Sequence, residues 1–187
     1  MKRALLATVA LLSVISLAAA KHPNEHGRAD DHGRGDDHPA PRIVAFDTMY
    51  GVDGPFVGDA NPIRGLIGDE LPWVIHSAKG WVGTDGRVKI HVRGLVFAND
   101  PSVPPELIGR NDEDLFRAAV SCLTEDADEH VVNAMVTSDG FPATPQGDSE
   151  IDGFVHLPNP CIAPIVFILA GSEEKWFAVT GFEPQGD

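Results

Sequence analysis

Residues 71–97 read LPWVIHSAKGWVGTDGRVKIHVRGLVF, and this stretch decides the fold class. On its second arm Val88, Ile90, Val92 and Val96 share one parity, while Arg87, Lys89, His91 and Arg93 share the other. That is the period-two alternation of a strand with one buried face. Thr84-Asp85-Gly86 between the arms reads as a three-residue hairpin loop with Gly86 in the left-handed position. Val82 then faces Val88, Ala78 faces Val92, and Val74 faces Val96. A two-residue loop would pair Val88 with Gly83 and Ile90 with Trp81, mixing the parities and exposing the apolar set. His76 shares the inward parity of Val74 and Ala78 and is expected as a core or edge histidine.

The same register builds the outer face. Lys79 opposes His91, Lys89 opposes Trp81, and Arg93 opposes Ser77. Residues 43–187 hold eight bases against twenty-three acids, a net charge of -15. Four of those bases, Lys79, Arg87, Lys89 and Arg93, fall on this hairpin. Directly opposed like charges are unfavourable, so Lys79, Trp81, Arg87, Lys89, His91 and Arg93 form a candidate face for an anionic ligand or an acidic protein partner. The acidic tail described below, from the same or a neighbouring molecule, is one candidate.

Outward from the hairpin, apolar runs at 116–123, 130–137, 151–157, 162–169 and 175–181 read as strands separated by DG, GFP and PNP breakers. The first could instead open as a short capped helix, with Asn111 or Asp112 as cap. Residues 43–50 could form a first strand, and 51–70, rich in Gly and Pro, read as loop with short extended pieces. About seven or eight short strands predict an all-β domain: an antiparallel β-sandwich, immunoglobulin-like or Greek-key, with a β-barrel as the alternative.

The N-terminus is organised differently. Lys2 and Arg3 precede an apolar run at 4–17 that closes on Ala18-Ala19-Ala20, the layout of a signal peptide cleaved near residue 20. The run is short for a spanning helix, and no later segment could span a bilayer. The mature protein is expected to be secreted or periplasmic. Loss of the two leader bases moves the whole-chain charge from -14 to -16.

Residues 21–42, KHPNEHGRADDHGRGDDHPAPR, repeat DDH and lack apolar periodicity, so they read as a disordered tail. His22, His26, His32 and His38 offer imidazole ligands for Zn, Ni or Cu, beside carboxylates. Capture by such a tract is expected to fail below about pH 6 as free imidazoles protonate. The single domain then covers 43–187.

Cys122 and Cys161 are the two cysteines. In an oxidising compartment, both beside apolar strands and without C-x-x-C spacing, they predict one structural disulfide. The acidic balance argues against nucleic acid. Catalytic motifs are thin: Ser172 and Lys175 match S-x-x-K only in a charged turn without its companion motifs. Asp148, Glu150 and Asp152 imitate the start of a calcium loop but read as edge carboxylates. Glu125, Asp126, Asp128 and Glu129 are better placed for weak Ca²⁺ binding. A non-enzymatic exported binding or surface-interaction module is the leading expectation. Metal capture by the tail and a hydrolase with an unrecognised site are the alternatives.

Several motifs in 72–181 resemble small secreted bacterial proteins with a two-cysteine all-β domain. They are Arg93-Gly94-Leu95-Val96, Phe116-Arg117 through Val120-Ser121-Cys122, Phe141-Pro142-Ala143-Thr144-Pro145, the run from Pro160-Cys161 to Phe167, and Trp176-Phe177-Ala178-Val179-Thr180-Gly181. That group has no assigned activity, so the resemblance implies fold and export but no catalytic residue. Gly80, Asp85-Gly86-Arg87-Val88 and Val92-Arg93-Gly94-Leu95 also faintly resemble the secreted all-β CHRD domain.

Overall fold

A computed structural model of the chain describes residues 40–182, which belong to a unit beginning at His38. The central hairpin is β5 (Ser77–Gly83) and β6 (Arg87–Arg93). Its register is the expected one: Val82 faces Val88, Trp81 faces Lys89, Lys79 faces His91, Ala78 faces Val92 and Ser77 faces Arg93. Gly86 sits at φ 85° and its N–H donates to the Gly83 carbonyl at 3.0 Å. A Cβ at Gly86 would also lie 2.2 Å from the Val155 carbonyl oxygen, so backbone conformation and packing both require glycine there.

β1 (Arg42–Phe46) and β10 (Ser149–Phe154) flank this hairpin, giving a sheet of order β1-β5-β6-β10. The second sheet runs β2 (Met49–Gly51), β12 (Lys175–Thr180), β11 (Ile162–Ala170), β8 (Leu115–Glu125) and β9 (Val131–Pro142), with β3 (Ile67–Gly68) beside β12. All pairings are antiparallel except β3 with β12. β4 (Trp73–Val74) and β7 (Val96–Phe97) form a third, two-stranded sheet. The described residues thus hold twelve strands in three sheets, more than the seven or eight expected. The extra pieces are two or three residues long, too short for any periodicity to mark them.

Three local expectations need correction. The segment 43–50 is two strands, because the chain leaves the first sheet at Asp47-Thr48 and enters the second at Met49. β1 begins at Arg42, one residue inside the stretch read as tail. His76 and Val74 are exposed, Val74 by 48%. Val74 does face Val96, yet the buried pair at that end is Trp73 and Phe97. Strand pairing is interrupted at 75–76 and 94–95. There the His76 N–H donates to the carbonyls of Arg93 and Gly94, and Gly94 takes φ 63°. Both chains irregular at the same level keep their register while their buried parity flips.

The 116–123 run is strand throughout, not a capped helix. Phe116, Ala118, Val120 and Cys122 are fully buried, and so are Ala119 and Ser121 of the opposite parity. β11 and β12 are likewise buried on both faces over most of their lengths. The reason lies in the loop 52–66. Phe56 packs on Trp176 (ring centroids 6.4 Å), the Arg64 carbonyl accepts from Asn133 Nδ2 at 2.9 Å, and Arg64 Nη2 donates to the Ala163 carbonyl at 3.3 Å. A sheet covered on both sides is written as near-continuous apolar runs rather than alternation. Its other face shares one core with Val82, Val88, Ile90, Val92 and Ile151 of the first sheet. Among the described residues the first sheet has no such cover over its central hairpin, and its outer face there keeps the alternation of β6: exposed or half-buried at Arg87, Lys89, His91 and Arg93.

The expected disulfide is present. Cys122 and Cys161 are joined across β8 and the start of β11, with Cα atoms 4.9 Å apart.

Candidate binding face of the four-stranded sheet

The outer face of the first sheet holds all six residues of the expected basic stripe, but their charges are not equivalent. β10 pairs with β6 so that Asp152 lies opposite Lys89 and Glu150 opposite His91. Lys89 Nζ is 3.2 Å from Asp152 Oδ2. Glu150 bonds both His91 Nδ1 and Arg93 Nη2. The Arg93 guanidinium thereby holds the Glu150 carboxyl below the usual carboxylate range, and Glu150 raises Arg93 in turn. The stretch that imitated a calcium loop is therefore the acidic half of a charge ladder. Its signal in the sequence was a period-two pair, Glu150 and Asp152, matching the period-two bases of β6.

The other half of the face is uncompensated. Among the described residues, no carboxylate lies within ion-pair distance of Lys79, Arg87 or Arg42. The Arg42 guanidinium instead lies over the Trp81 ring, 5.0 Å from its centroid, an attraction to the ring's negative face. Lys79, Trp81 and Arg42 border an open trough of about 530 Å³, closed on one side by Phe46 and Asp47 and reaching Lys89 and His91 on the other. That volume is within the range of small-molecule sites. Gly80 lines the trough, and a Cβ there would lie 2.5 Å from the Lys89 carbonyl oxygen; glycine lets β5 and β6 close beneath the cleft. Arg42, Phe46 and Asp47 went unassigned in the sequence because β1 joins the sheet through long-range pairing with β5, which no local pattern encodes. Arg87 lies outside the trough, at the hairpin end beside Phe154.

Two other clusters carry ligand atoms. At the end of the β8–β9 hairpin, Asp126, Asp128 and His130 place their ligand atoms within 4.8 Å of one another, all exposed. Asp126 Oδ1 also accepts from the backbone N–H of Asp128 and of His130, each at 2.9 Å. Of the four acids expected to favour Ca²⁺, only Asp126 and Asp128 belong to this set; Glu125 and Glu129 do not. The second cluster is Asp69, Glu70 and Glu173. Lys175 Nζ already lies 2.6 Å from Glu70 Oε2 and 2.7 Å from Glu173 Oε2. These bonds to Glu173 and Glu70 raise the lysine's pKa, so an ammonium occupies the place a cation would take. Asp69 is buried, which pushes its carboxyl pKa up against the pull of Trp73 Nε1 at 2.8 Å.

The S-x-x-K spacing makes no catalytic pair: Ser172 Oγ donates to Glu113 Oε1 at 2.8 Å, while Lys175 is held by Glu70 and Glu173. His22, His26, His32 and His38 lie outside the described residues. No helix among the described residues is long and apolar enough to cross a membrane. No protein-family profile, curated protein or solved structure matches the chain, so neither resemblance drawn from its motifs gains support.

Proposed function

We propose that this is an exported, non-enzymatic binding module that engages an anionic ligand through the outer face of its four-stranded sheet. We read its two large sheets, which share one core, as an immunoglobulin-like or Greek-key sandwich. Pairing of β8 with β11 around the excursion through β9 and β10 supports that topology. The observation that carries the function is the trough itself: among the described residues Arg42 and Lys79 stand without carboxylate partners beside Trp81, on a domain of charge -15. In such an acidic molecule a bare cationic cleft would otherwise attract the domain's own side chains, as the β6 bases do. The test is amide chemical-shift mapping with citrate, sulfate, oligoglutamate and oligogalacturonate. Shifts are expected at 42–47, 79–81 and 89–91 with at least one of these, and should weaken about tenfold or more in Lys79→Glu. Absence of perturbation there with every probe at millimolar concentration would overturn the proposal.

Divalent metal capture is a second reading, favoured by the Asp126/Asp128/His130 set, whose D-x-D-x-H composition echoes the DDH repeats of the tail. Mixed imidazole and carboxylate donors suit Zn, Ni or Cu rather than Ca²⁺. Calorimetric titration of the mature chain with Zn²⁺ is expected to show a strong phase that is lost when His22, His26, His32 and His38 become Asn. A weaker phase should be lost in His130→Ala. Acidification should release both, since ligating imidazoles must be neutral. No heat with millimolar Zn²⁺ at pH 7.5 would remove this reading.

A further inference from the structure

Resting on the binding-face reading, we infer that the ligand class of the trough is an acidic saccharide, a short uronic-acid oligosaccharide, rather than an acidic peptide or a simple anion. The choice turns on Asp47. It is exposed and lines the same trough as Lys79 and Trp81, and it also lines a neighbouring depression together with Lys79 and Arg93. Among the described residues no donor is bonded to its carboxylate. A ligand carrying only carboxylates, sulfates or phosphates would meet repulsion there. A ligand carrying a carboxylate and hydroxyls would not: its carboxylate faces Arg42 and Lys79, while its hydroxyls donate to Asp47.

Trp81 supplies the remaining component. A pyranose ring has an apolar face of C–H groups, and a half-buried indole in an open trough offers a matching surface. Phe46 and Ala45 extend the apolar side of the cleft. Arg42 over the ring keeps a planar, always-charged donor next to that surface; a guanidinium can bind a carboxylate through two parallel N–H bonds. The trough is open along the sheet rather than enclosed, which fits a segment of a longer chain better than a monosaccharide.

The experiment measures dissociation constants of the mature chain for oligogalacturonate, oligoglutamate, sulfated dextran and neutral dextran at about 0.15 M salt. At this ionic strength long-range attraction between exposed charges is largely screened. Oligogalacturonate is expected to bind at least tenfold more tightly than each of the others. Asp47→Ala is the discriminating variant, and the site is exposed enough that the fold should be indifferent to it. It should weaken oligogalacturonate several-fold while strengthening oligoglutamate and sulfated dextran, because it removes a hydroxyl acceptor and a like charge together. Lys79→Ala should weaken all three acidic ligands. If Asp47→Ala strengthens all of them, or if oligoglutamate matches oligogalacturonate, the saccharide assignment falls and the anion-binding face stands. If none of the four binds, the binding-face reading falls with it.

Discussion

Trp73→Ala should cost about 4–8 kcal/mol of folding stability. The indole is 1% exposed and stacks on Phe177 with ring centroids 4.0 Å apart and planes 15° apart. It also packs on Phe97 at 4.1 Å. Truncating a buried Trp to Ala typically removes about 3–5 kcal/mol through lost burial and the remaining cavity. The substitution also strips a donor from Asp69, adding about 1–3 kcal/mol for a buried acceptor left short of a partner. Domains of this size hold about 5–15 kcal/mol in all, so the variant should sit near its unfolding threshold. A urea titration reads the change; a loss below about 2 kcal/mol would show that the site relaxes around the gap.

Trp73→Phe separates the two parts. It keeps an aromatic ring in the stack while removing the N–H that bonds Asp69, together with part of the indole's packing surface. Burial has already raised the Asp69 carboxyl. A raised folded-state pKa means that this group favours folding most at acid pH, and that the benefit falls as pH rises through the folded pKa. The Trp73 N–H opposes this by stabilising the ionised form. The penalty of Trp73→Phe should therefore be larger above the raised folded-state pKa of Asp69, where the carboxylate is ionised, than below it.

Replacing both cysteines, Cys122→Ala with Cys161→Ala, should cost about 3–4 kcal/mol. The bridge spans 39 positions, and a closed loop of that length restricts the unfolded chain by roughly this amount in the chain-entropy account. The loop contains β9 and β10. The bridge therefore ties the second sheet's edge strand and the acidic partner of β6 into one constrained segment. Because the effect resides mainly in the unfolded state, thermal unfolding of the oxidised protein with and without reductant should match the variant. Equal stability of oxidised and reduced protein would contradict that origin. The variant's trough should remain intact in the folded state, since neither cysteine lines it.

The hairpin shows what was legible locally. Alternation on β6 and a Thr-Asp-Gly turn determine register, and register determines every cross-strand pair from Ser77–Arg93 to Val82–Val88. The β11 and β12 runs were equally clear, because burial on both faces demands continuous apolar residues, whereas the acids ahead of β8 left a capped helix open at its start. The third sheet was not legible. Trp73–Val74 and Val96–Phe97 keep the hairpin's register but reverse which side is buried, and that reversal arises from a paired irregularity at Gly94 and His76.

The candidate site divides along the same line. Composition and alternation alone determined that an acidic chain gathers half of its domain's bases on one strand pair, that this pair is half-buried, and that two cysteines stand beside apolar strands. Only the tertiary structure decided which of those bases remain unpaired. β10 brings Glu150 and Asp152 alongside β6, and β1 brings Arg42 and Asp47 alongside β5, across separations no local period encodes. Local periodicity specifies which face of a strand meets water, because side chains alternate by geometry. Which strand lies next to it depends on how the whole core is closed, and that neighbour decides whether a charge is neutralised or left open to a ligand.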